Sequence, residues 1–286
     1  MNAIALVTGA SSGIGYQAAL NLFGRGVNVY AAARRPMSDL EQRGLQTICL
    51  DVTDEESMRH GVDEVIQREG HIDILVNNAG YGSYGAIEEV PLSEARRQFE
   101  VNVFGAMRMA QLVLPHMISR ETGRIVNVSS IAGQFSMALG GWYHATKYAT
   151  EALSDALRQE VAPFGVDVVI VQPGLVKTNW ESIAAEHLKS TSGLGKYSKI
   201  ARNWALALEA AGHGMATDPA VIGEVIAKAA TTPHPRTRYR KGTASVVTRV
   251  LPLGPDRLVD FGIGLLLNNL ETIVNKFNLT GTKVSV

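Results

Sequence analysis

The segment IALVTGASSGIG, residues 4–15, is the most informative part of the chain, because it joins an apolar strand to a glycine-rich turn and the start of a helix. Glycines permit a tight turn and let a pyrophosphate approach the backbone N–H groups at a helix N-terminus, where the helix dipole favours negative charge. The spacing G-x3-G-x-G differs from the common G-x-G-x-x-G pattern of dinucleotide sites, so a purely structural turn stays an alternative. The strand–turn–helix context favours a dinucleotide site.

Short apolar runs alternate with helical segments throughout the chain. The predicted strands are Ile4–Val7, Val27–Ala33, Gln46–Leu50, Asp73–Val76, Arg124–Val128, Val166–Val171 and Thr237–Lys241. The predicted helices are Gly13–Phe23, Glu55–Arg68, Ser93–Ser119 and Tyr143–Val161. Several strands are apolar at consecutive positions, as in a parallel sheet covered on both faces. The pattern predicts an α/β fold: a single-domain, Rossmann-type, doubly wound parallel sheet of about seven strands with helices on both faces.

Within this one predicted domain, residues 1–286, three parts are distinguished. Residues 1–180 are expected to form the dinucleotide-binding and catalytic core, residues 180–216 a helical insertion that covers the substrate, and residues 243–286 a C-terminal appendage. Asp218-Pro219 predicts a helix start, with an N-cap followed by proline at the first helical position. Arg257–Phe277 has the pattern of an amphipathic helix, for which packing on its own fold or on another subunit is favoured over contact with a membrane surface.

The composition is that of a globular enzyme. Hydrophobic residues make up 46% and charged residues 19% of the 286 residues, and the formal net charge is zero, so no nucleic-acid partner is expected. No stretch reaches the roughly 20 apolar residues of a transmembrane helix, and the N-terminus lacks the pattern of a signal peptide. The single cysteine, Cys49, is predicted to be a buried strand residue. It cannot form an internal disulfide, which favours a reducing compartment and hence the cytoplasm.

The charges at the end of the second strand favour NADP(H) over NAD(H). Dinucleotide sites specific for NAD place a carboxylate there, which binds the ribose 2′-hydroxyl and would repel a 2′-phosphate. Here the strand ends in Ala33 and is followed by Arg34 and Arg35. The planar guanidinium group suits a phosphate dianion, with Arg34 as the better candidate, although two solvated surface arginines are the alternative. The Ser11 and Ser12 hydroxyls are expected to add contacts.

Tyr143 and Lys147 lie four residues apart on a predicted helix and therefore share a face. A phenol of pKa ~10 needs about 4 kcal/mol of differential stabilisation to titrate near neutrality. A unit charge at ~4 Å supplies on the order of 4 kcal/mol before desolvation costs, so Lys147, helped by the positive nicotinamide of the oxidised complex, is expected to lower the pKa of Tyr143. His144 is expected to point to another helix face. Neither it nor His71 or His116 has the spacing of metal ligands, and no metal site is predicted.

These features resemble the classical short-chain dehydrogenase/reductase (SDR) family, strongly over about residues 1–180. The motifs that carry the resemblance follow the family's order: Thr8 to Gly15, Asp51-Val52, Asn77-Asn78-Ala79-Gly80, Asn102, Ser130, Tyr143-x3-Lys147 and Pro173-Gly174. Pro235–Tyr239 and the general pattern are similar to the subgroup that contains 17β-hydroxysteroid and retinol dehydrogenases. The resemblance implies an oxidoreductase that transfers a hydride between a nicotinamide and a carbonyl or alcohol carbon.

The resemblance also implies a set of cofactor-binding residues. It implies that Asp51 binds the adenine amino group and that Val52 packs on the ring, although Asp51 also fits a helix-capping region, where Asp54 is the better cap. Thr178 and the backbone near Val176 are expected at the nicotinamide carboxamide. The full expected set is Gly9, Ser11, Ser12, Gly13, Ile14, Gly15, Arg34, Arg35, Asp51, Val52, Asn78, Ala79, Gly80, Tyr143, Lys147, Pro173, Gly174, Val176 and Thr178.

Four residues have catalytic roles by the same resemblance. Tyr143 is expected to be the general acid/base and Lys147 to support it. Ser130, rather than its neighbour Ser129, is expected to orient the substrate oxygen, because it has the family's spacing to Tyr143. Asn102 is expected to hold a water for proton relay, or alternatively to hydrogen-bond the backbone and bend its helix.

The predicted substrate is a small hydrophobic ketone or secondary alcohol. The candidate pocket segments, residues 81–84, 132–142 and 180–215, are rich in apolar and aromatic side chains and show no arginine clamp. A homo-oligomer is expected, because family members usually form one through the two long helices. Two other functions stay open: a redox sensor that only binds the dinucleotide, and an isomerase or epimerase on the same fold.

Overall fold

A computed structural model describes residues 2–210, 216–245 and 254–276. Its strands are β1 (Ile4–Thr8), β2 (Asn28–Ala33), β3 (Gln46–Cys49), β4 (Ile74–Asn77), β5 (Gly123–Val128), β6 (Val166–Pro173) and β7 (Arg238–Lys241). They form one seven-stranded sheet in the order β3-β2-β1-β4-β5-β6-β7. All six pairings are parallel. The predicted Rossmann-type sheet is confirmed.

The helices connect successive strands and cover both faces of the sheet. They are α1 (Gly13–Phe23), α2 (Ser38–Gln42), α3 (Glu55–Glu69), α4 (Leu92–Phe99), α5 (Gly105–Ser119), α6 (Gly141–Val161), α7 (Trp180–Ser192), α8 (Ser198–Ala210), α9 (Pro219–Thr231) and α10 (Asp256–Lys276). Short 3₁₀ turns occupy Ile131–Gly133 and Ala162–Phe164. The helix predicted over 93–119 is interrupted by a π-helical turn, Glu100–Phe104, which separates α4 from α5.

Two apolar layers, one on each face, hold the sheet in place. In β1, Leu6 and Val7 are both fully buried although they point to opposite faces, since Val7 joins the layer under α1 and α9 and Leu6 the layer under α3 and α5. Burial of both faces explains the consecutive apolar positions in this strand. The predicted cap also forms, because the Asp218 side chain accepts from the Ala220 N–H at 2.8 Å. Because all the strand pairings are parallel, the carboxyl ends of the strands lie at one edge of the sheet.

Cys49 corrects one sequence-based expectation. The apolar run around it predicts a buried strand residue, but its side chain is exposed. β3 lies at the edge of the sheet, and of its residues only Ile48 is buried. Because an edge strand is covered less completely than a central one, an apolar run there does not imply burial of every residue.

The segment after β6 is helical, as predicted for the substrate-covering insertion. α7 and α8 pack together, and α10 packs on α8, where the Asn203 side-chain amide donates to the Leu267 carbonyl at 3.1 Å. The end of the predicted insertion, parts of the predicted appendage and Phe277 lie outside the described residues. None of the helices within the described ranges combines the length and apolar character needed to cross a membrane.

Candidate active site

A cavity of about 590 Å³ opens at the carboxyl ends of the strands, which is the edge at which doubly wound sheets bind ligands. Of the residues expected at the site, only Gly15 and Asn102 do not line it. Those that do are Gly9, Ser11, Ser12, Gly13, Ile14, Arg34, Arg35, Asp51, Val52, Asn78, Ala79, Gly80, Ser130, Tyr143, Lys147, Pro173, Gly174, Val176 and Thr178. The fold thus brings residues from six strand ends into one space.

The glycine-rich turn requires glycine for steric reasons. Gly9 has φ +66°, and a Cβ there would lie 2.8 Å from the Ala79 Cα. A Cβ on Gly15 would lie 2.4 Å from the Gly9 carbonyl oxygen, so Gly15 supports the turn from outside the cavity wall. The Thr8 hydroxyl accepts from the backbone N–H groups of Asn78 and Ala79, both at 3.1 Å. The turn and the loop after β4 are therefore held together as one surface.

The two arginines lie at one end of the cavity. Arg34 has a side chain 65% exposed, and its nearest charged partner is Asp51, with 3.9 Å between Nη1 and Oδ2. Arg35 donates to the Ser11 hydroxyl at 3.0 Å. Asp51 accepts from the N–H and hydroxyl of Thr53 at 2.9 and 2.8 Å. The Asp54 side chain caps α3, as predicted.

A glycine turn that a Cβ would fill, a cavity of this size and guanidinium groups at one end together fit a nicotinamide dinucleotide.

Tyr143, Ser130 and Lys147 meet at the inner part of the cavity. Tyr143 is 7% exposed, and burial raises its pKa to about 12, although the nearby Ser130 hydroxyl acts in the opposite direction. The helix spacing of Tyr143 and Lys147 predicts a lowered pKa instead. In the protein without a nucleotide, burial dominates the pKa of Tyr143, and the lowering expected from Lys147 together with an oxidised nicotinamide stays a prediction. Tyr143 therefore holds its proton at neutral pH.

Lys147 is also buried, at 7% exposure, and its Nζ donates to the Val128 carbonyl at 3.1 Å. Nζ lies 5.9 Å from the centroid of the Tyr143 ring. Burial lowers the pKa of Lys147 to about 8, while the charge of Glu151 opposes this change. The ammonium form persists at neutral pH, beside Tyr143.

Asn102 lies in the π-helical turn and is 3% exposed. Its side-chain oxygen accepts from the Tyr81 N–H at 3.0 Å, and its amide donates to the Tyr81 carbonyl at 2.9 Å and to the Thr146 hydroxyl at 3.1 Å. The side chain therefore ties the loop after β4 to α6. Its role in proton relay stays a prediction.

His144 lies in the cavity as well. Helix periodicity places it on another face of α6 than Tyr143, yet it lines the same cavity and is 3% exposed. Residues 132–137 curve over the first turn of α6, and the His144 Nδ1 lies 3.1 Å from the Ala132 carbonyl oxygen and 2.5 Å from that of Phe135. The cavity wall therefore extends around the helix and includes the neighbour of Tyr143.

Aromatic rings line the cavity around Tyr143. The centroid of Trp180 lies 5.1 Å from that of Tyr143, and the centroid of Tyr84 lies 5.7 Å from it. Trp180 fits closely over Gly82, where a Cβ would lie 2.3 Å from its ring. The segments predicted to form the pocket thus do meet at Tyr143.

Glu181 is a cavity residue that the sequence motifs do not predict. It is 4% exposed and accepts from the Thr178 N–H at 3.2 Å and the Thr178 hydroxyl at 3.1 Å. Burial raises the pKa of Glu181, and its charge adds to the high pKa of Tyr143. The spacing Thr-x-x-Glu before a helix is the signature of a capping box, and is the available sequence signal.

Comparisons with known proteins agree on the family. The family model described as short chain dehydrogenase matches residues 3–188. The short-chain type dehydrogenase/reductase VdlC of Helicobacter pylori is 41% identical over 186 residues, which cover 64% of this chain and 69% of that protein. The 3-ketodihydrosphingosine reductase of Bacteroides thetaiotaomicron is 40% identical over 177 residues, covering 62% of this chain and 65% of that protein. The chain thus spans about two thirds of the length of these two relatives.

Solved structures show the same relationship. A short-chain dehydrogenase from Streptomyces avermitilis has a TM-score of 0.71 and 30% identity, covering 100% of this chain and 99% of that one. The closed form of serine dehydrogenase complexed with NADP⁺ has a TM-score of 0.72 and 26% identity, covering 84% of this chain and 94% of that one. With the motifs, the sheet order and these matches in agreement, the chain belongs to the short-chain dehydrogenase/reductase family.

Proposed function

We propose that this protein is an NADP(H)-dependent oxidoreductase that reduces the carbonyl group of a hydrophobic substrate, with Tyr143 as the general acid. One observation carries the proposal: a buried tyrosine lies beside the Ser130 hydroxyl and the Lys147 ammonium, in a cavity that the glycine-rich turn and two arginines also line. Reversal of the same steps oxidises the alcohol.

Ser130, Tyr143 and Lys147 each have a separate role in the proposed reduction. When bound, the nicotinamide ring supplies the hydride that reduces the carbonyl carbon. The Ser130 hydroxyl donates to the substrate oxygen and stabilises the charge that develops there. Tyr143 donates its phenolic proton to that oxygen. Because its pKa is about 12, Tyr143 is protonated at neutral pH, and the nearby Lys147 ammonium favours the phenolate that remains.

The preference for NADP(H) rests on the charge around Arg34. The side chain is largely exposed and its contact with Asp51 is long, so a 2′-phosphate can bind this guanidinium at little cost. Arg35, held by Ser11, places a second guanidinium nearby. A solved relative is described as a complex with NADP⁺, which supports the same preference.

Arg34→Ala is expected to weaken NADPH binding by roughly ten- to a hundredfold, because a charge-assisted hydrogen bond contributes about 1.5–3 kcal/mol. NADH binding is expected to change less than about threefold, since the lost contact is to the phosphate alone. Fluorescence titration of the purified protein with both nucleotides measures the two constants. Arg59→Ala, on the exposed face of α3, is the matched control. Equal losses for NADPH and NADH would refute the phosphate assignment.

The hydrophobic substrate is proposed from the walls of the cavity. Tyr84, Trp180 and Met137 surround the space beside Tyr143, and Leu208 of α8 lines it from the side of the insertion. Apolar and aromatic side chains beside the reacting group favour a hydrophobic ligand that is oriented by a small number of hydrogen bonds. One relative is named as the reductase of a ketone, 3-ketodihydrosphingosine.

A homo-oligomer is proposed from the exposed apolar residues on the two long helices. Phe104, between α4 and α5, is 55% exposed, and Tyr148 and Leu153 on α6 are 44% and 41% exposed. Such residues on adjacent surfaces favour burial in a subunit interface. The single exposed cysteine, Cys49, suits a reducing compartment, and we propose the cytoplasm.

Nucleotide titration followed by NADPH-oxidation assays over a panel of hydrophobic ketones tests the proposed function. Tighter binding of NADPH than of NADH, with turnover of at least one ketone, is the expected result. Binding without turnover of any ketone or secondary alcohol would instead support a redox sensor. Conversion of a bound substrate without net NADPH oxidation would support an isomerase.

A further inference from the structure

Two polar groups beside Tyr143 have no hydrogen-bond partner among the described residues. They are the Tyr84 hydroxyl and the Nε2 atom of His144. Tyr84 is 4% exposed and His144 is 3% exposed, and both line the cavity. Both residues face the cavity, so a ligand that fills it either forms hydrogen bonds with these two groups or leaves them unpaired at a cost in free energy.

The contacts of His144 define what its Nε2 atom can do. Nδ1 lies against two carbonyl oxygens, of Ala132 and Phe135, so this nitrogen must carry the proton and donate. Burial lowers the pKa of His144, which keeps the ring neutral at neutral pH. In this tautomer Nε2 carries a lone pair and no proton. Nε2 is therefore an acceptor that requires an O–H or N–H donor.

Tyr84 approaches His144 at the backbone of Gly140. The position that a Cβ on Gly140 would occupy lies 2.7 Å from the Tyr84 Cε1 and 3.1 Å from the His144 Nε2. Both rings also border Tyr143, at centroid distances of 5.7 Å for Tyr84 and 6.1 Å for His144. A hydrogen bond from the Gly85 N–H to the Leu139 carbonyl, at 2.8 Å, holds the two loops together. The two polar groups thus form one corner of the cavity next to the general acid.

We propose that Tyr84 and His144 form a subsite that binds a hydroxyl group of the substrate, one or two carbons from the carbonyl that Tyr143 protonates. This inference rests on the proposed carbonyl reduction and names its substrate class, a hydroxyketone with an apolar remainder. A hydroxyl group satisfies both residues at once, since it donates to Nε2 of His144 and accepts from the phenol of Tyr84. A methyl group in its place leaves both unpaired.

Matched ketones that differ only at the hydroxyl test the subsite. Benzyl hydroxymethyl ketone pairs with benzyl ethyl ketone, and benzyl hydroxyethyl ketone with benzyl propyl ketone, each hydroxyl being replaced by a methyl. For at least one pair, kcat/KM with NADPH is expected to be roughly tenfold or more higher for the hydroxyketone, because binding the methyl analogue leaves two buried groups unpaired. Equal kcat/KM within both pairs would overturn the subsite.

Two substitutions remove one group each while sparing the fold. Tyr84→Phe removes only the hydroxyl. His144→Asn keeps a side-chain N–H that can donate to the Ala132 and Phe135 carbonyls but lacks the acceptor at Nε2. Each is expected to reduce the ratio of kcat/KM for the hydroxyketone to kcat/KM for its methyl analogue about tenfold. Tyr148→Phe, on the exposed side of α6, is the control. If a variant lowers both ketones of a pair equally, its residue supports the fold and does not bind the hydroxyl.

A spectroscopic measurement separates failure of the subsite from failure of the proposed reaction. In protein with ¹⁵N-labelled histidine, the Nε2 signal absent from His144→Asn reports on this ring. Saturation with NADP⁺ and the diol product of benzyl hydroxymethyl ketone is expected to shift that signal, whereas the corresponding alcohol with a methyl group is not. A selective shift without turnover of any ketone would retain the subsite and reject the reductase. Turnover without preference and without a selective shift would do the opposite.

Discussion

Tyr143→Phe is expected to lower kcat for ketone reduction by about 10³-fold, within the range of 10²–10⁴ for removal of a general acid. The substitution removes one oxygen from a buried ring that packs between Tyr84 and Trp180, so the apolar contacts remain. Binding of NADPH is expected to change less than about twofold, because the aromatic body of the side chain is kept. Stopped-flow single turnover measures the chemical step, and fluorescence titration measures binding.

Tyr148→Phe is the matched control for this experiment. Tyr148 lies on the same helix, α6, at 44% exposure, and its hydroxyl does not line the cavity. Its replacement is expected to leave kcat unchanged. A fully active Tyr143→Phe variant would reject Tyr143 as the general acid.

Lys147→Met is expected to stabilise the free protein while it inactivates the enzyme. Burial lowers the pKa of Lys147 from 10.5 to about 8, and a difference of this size is worth about 3 kcal/mol against the folded state. Methionine has a similar length and no charge, and its introduction costs the hydrogen bond to Val128, about 1 kcal/mol. The variant is expected to gain on the order of 2 kcal/mol in unfolding free energy at pH 7. Its kcat is expected to fall at least about a hundredfold.

The pH dependence provides an internal check on this prediction. Below about pH 8 Lys147 is charged in both the folded and unfolded states, and the penalty for burying the charge is complete. Between pH 8 and 10.5 the folded protein binds fewer protons than the unfolded chain, so the wild type gains stability relative to the variant as pH rises. Urea unfolding without nucleotide at pH 7 and pH 10 measures both differences. Lys199→Met, at an exposed position of α8, is expected to change stability by less than about 0.5 kcal/mol. A destabilised Lys147→Met variant at pH 7 would show that the lysine supports the fold.

Most of the sheet was predictable from sequence because both of its faces are buried. Runs such as Leu6-Val7 are apolar at every position, and in a chain of alternating strands and helices this pattern indicates a strand that is covered on both sides. The prediction that Cys49 is buried was wrong, because burial at the sheet edge depends on the element that covers the edge strand. The helix before β3, α2, is only five residues long. Helix bounds were reproduced closely, except where the π-helical turn interrupts the long helix, for which local sequence carries no periodic signal.

The site was predictable where a motif specifies a local geometry and unpredictable where distant segments meet. The glycine turn and the spacing of Tyr143 and Lys147 are local, and the structure gathers these residues in the cavity. The place of His144 in the cavity wall was not predicted, because it depends on the loop at Ala132–Phe135 that folds over the helix start, which helix periodicity does not describe. Glu181 follows a capping pattern, but its burial beside Tyr143 depends on the packing of α7. The high pKa of Tyr143 in the protein alone was not predictable for a related reason, since desolvation is a property of the packed cavity.

The π-helical turn at Glu100–Phe104 changes the rotation of the side chains around the axis between α4 and α5. Such a turn accommodates one residue more than an α-helical turn, and each residue of an α-helix advances the side chains by about 100° around the axis. The side chains of α5 are therefore rotated around the axis, relative to those of α4, from the positions that one continuous α-helix would give them. The extra residue lies in the turn that contains Asn102, whose side chain binds the backbone of Tyr81 in the loop after β4. The packing of Met109 and Val113 against the sheet is therefore set separately from the position of that loop.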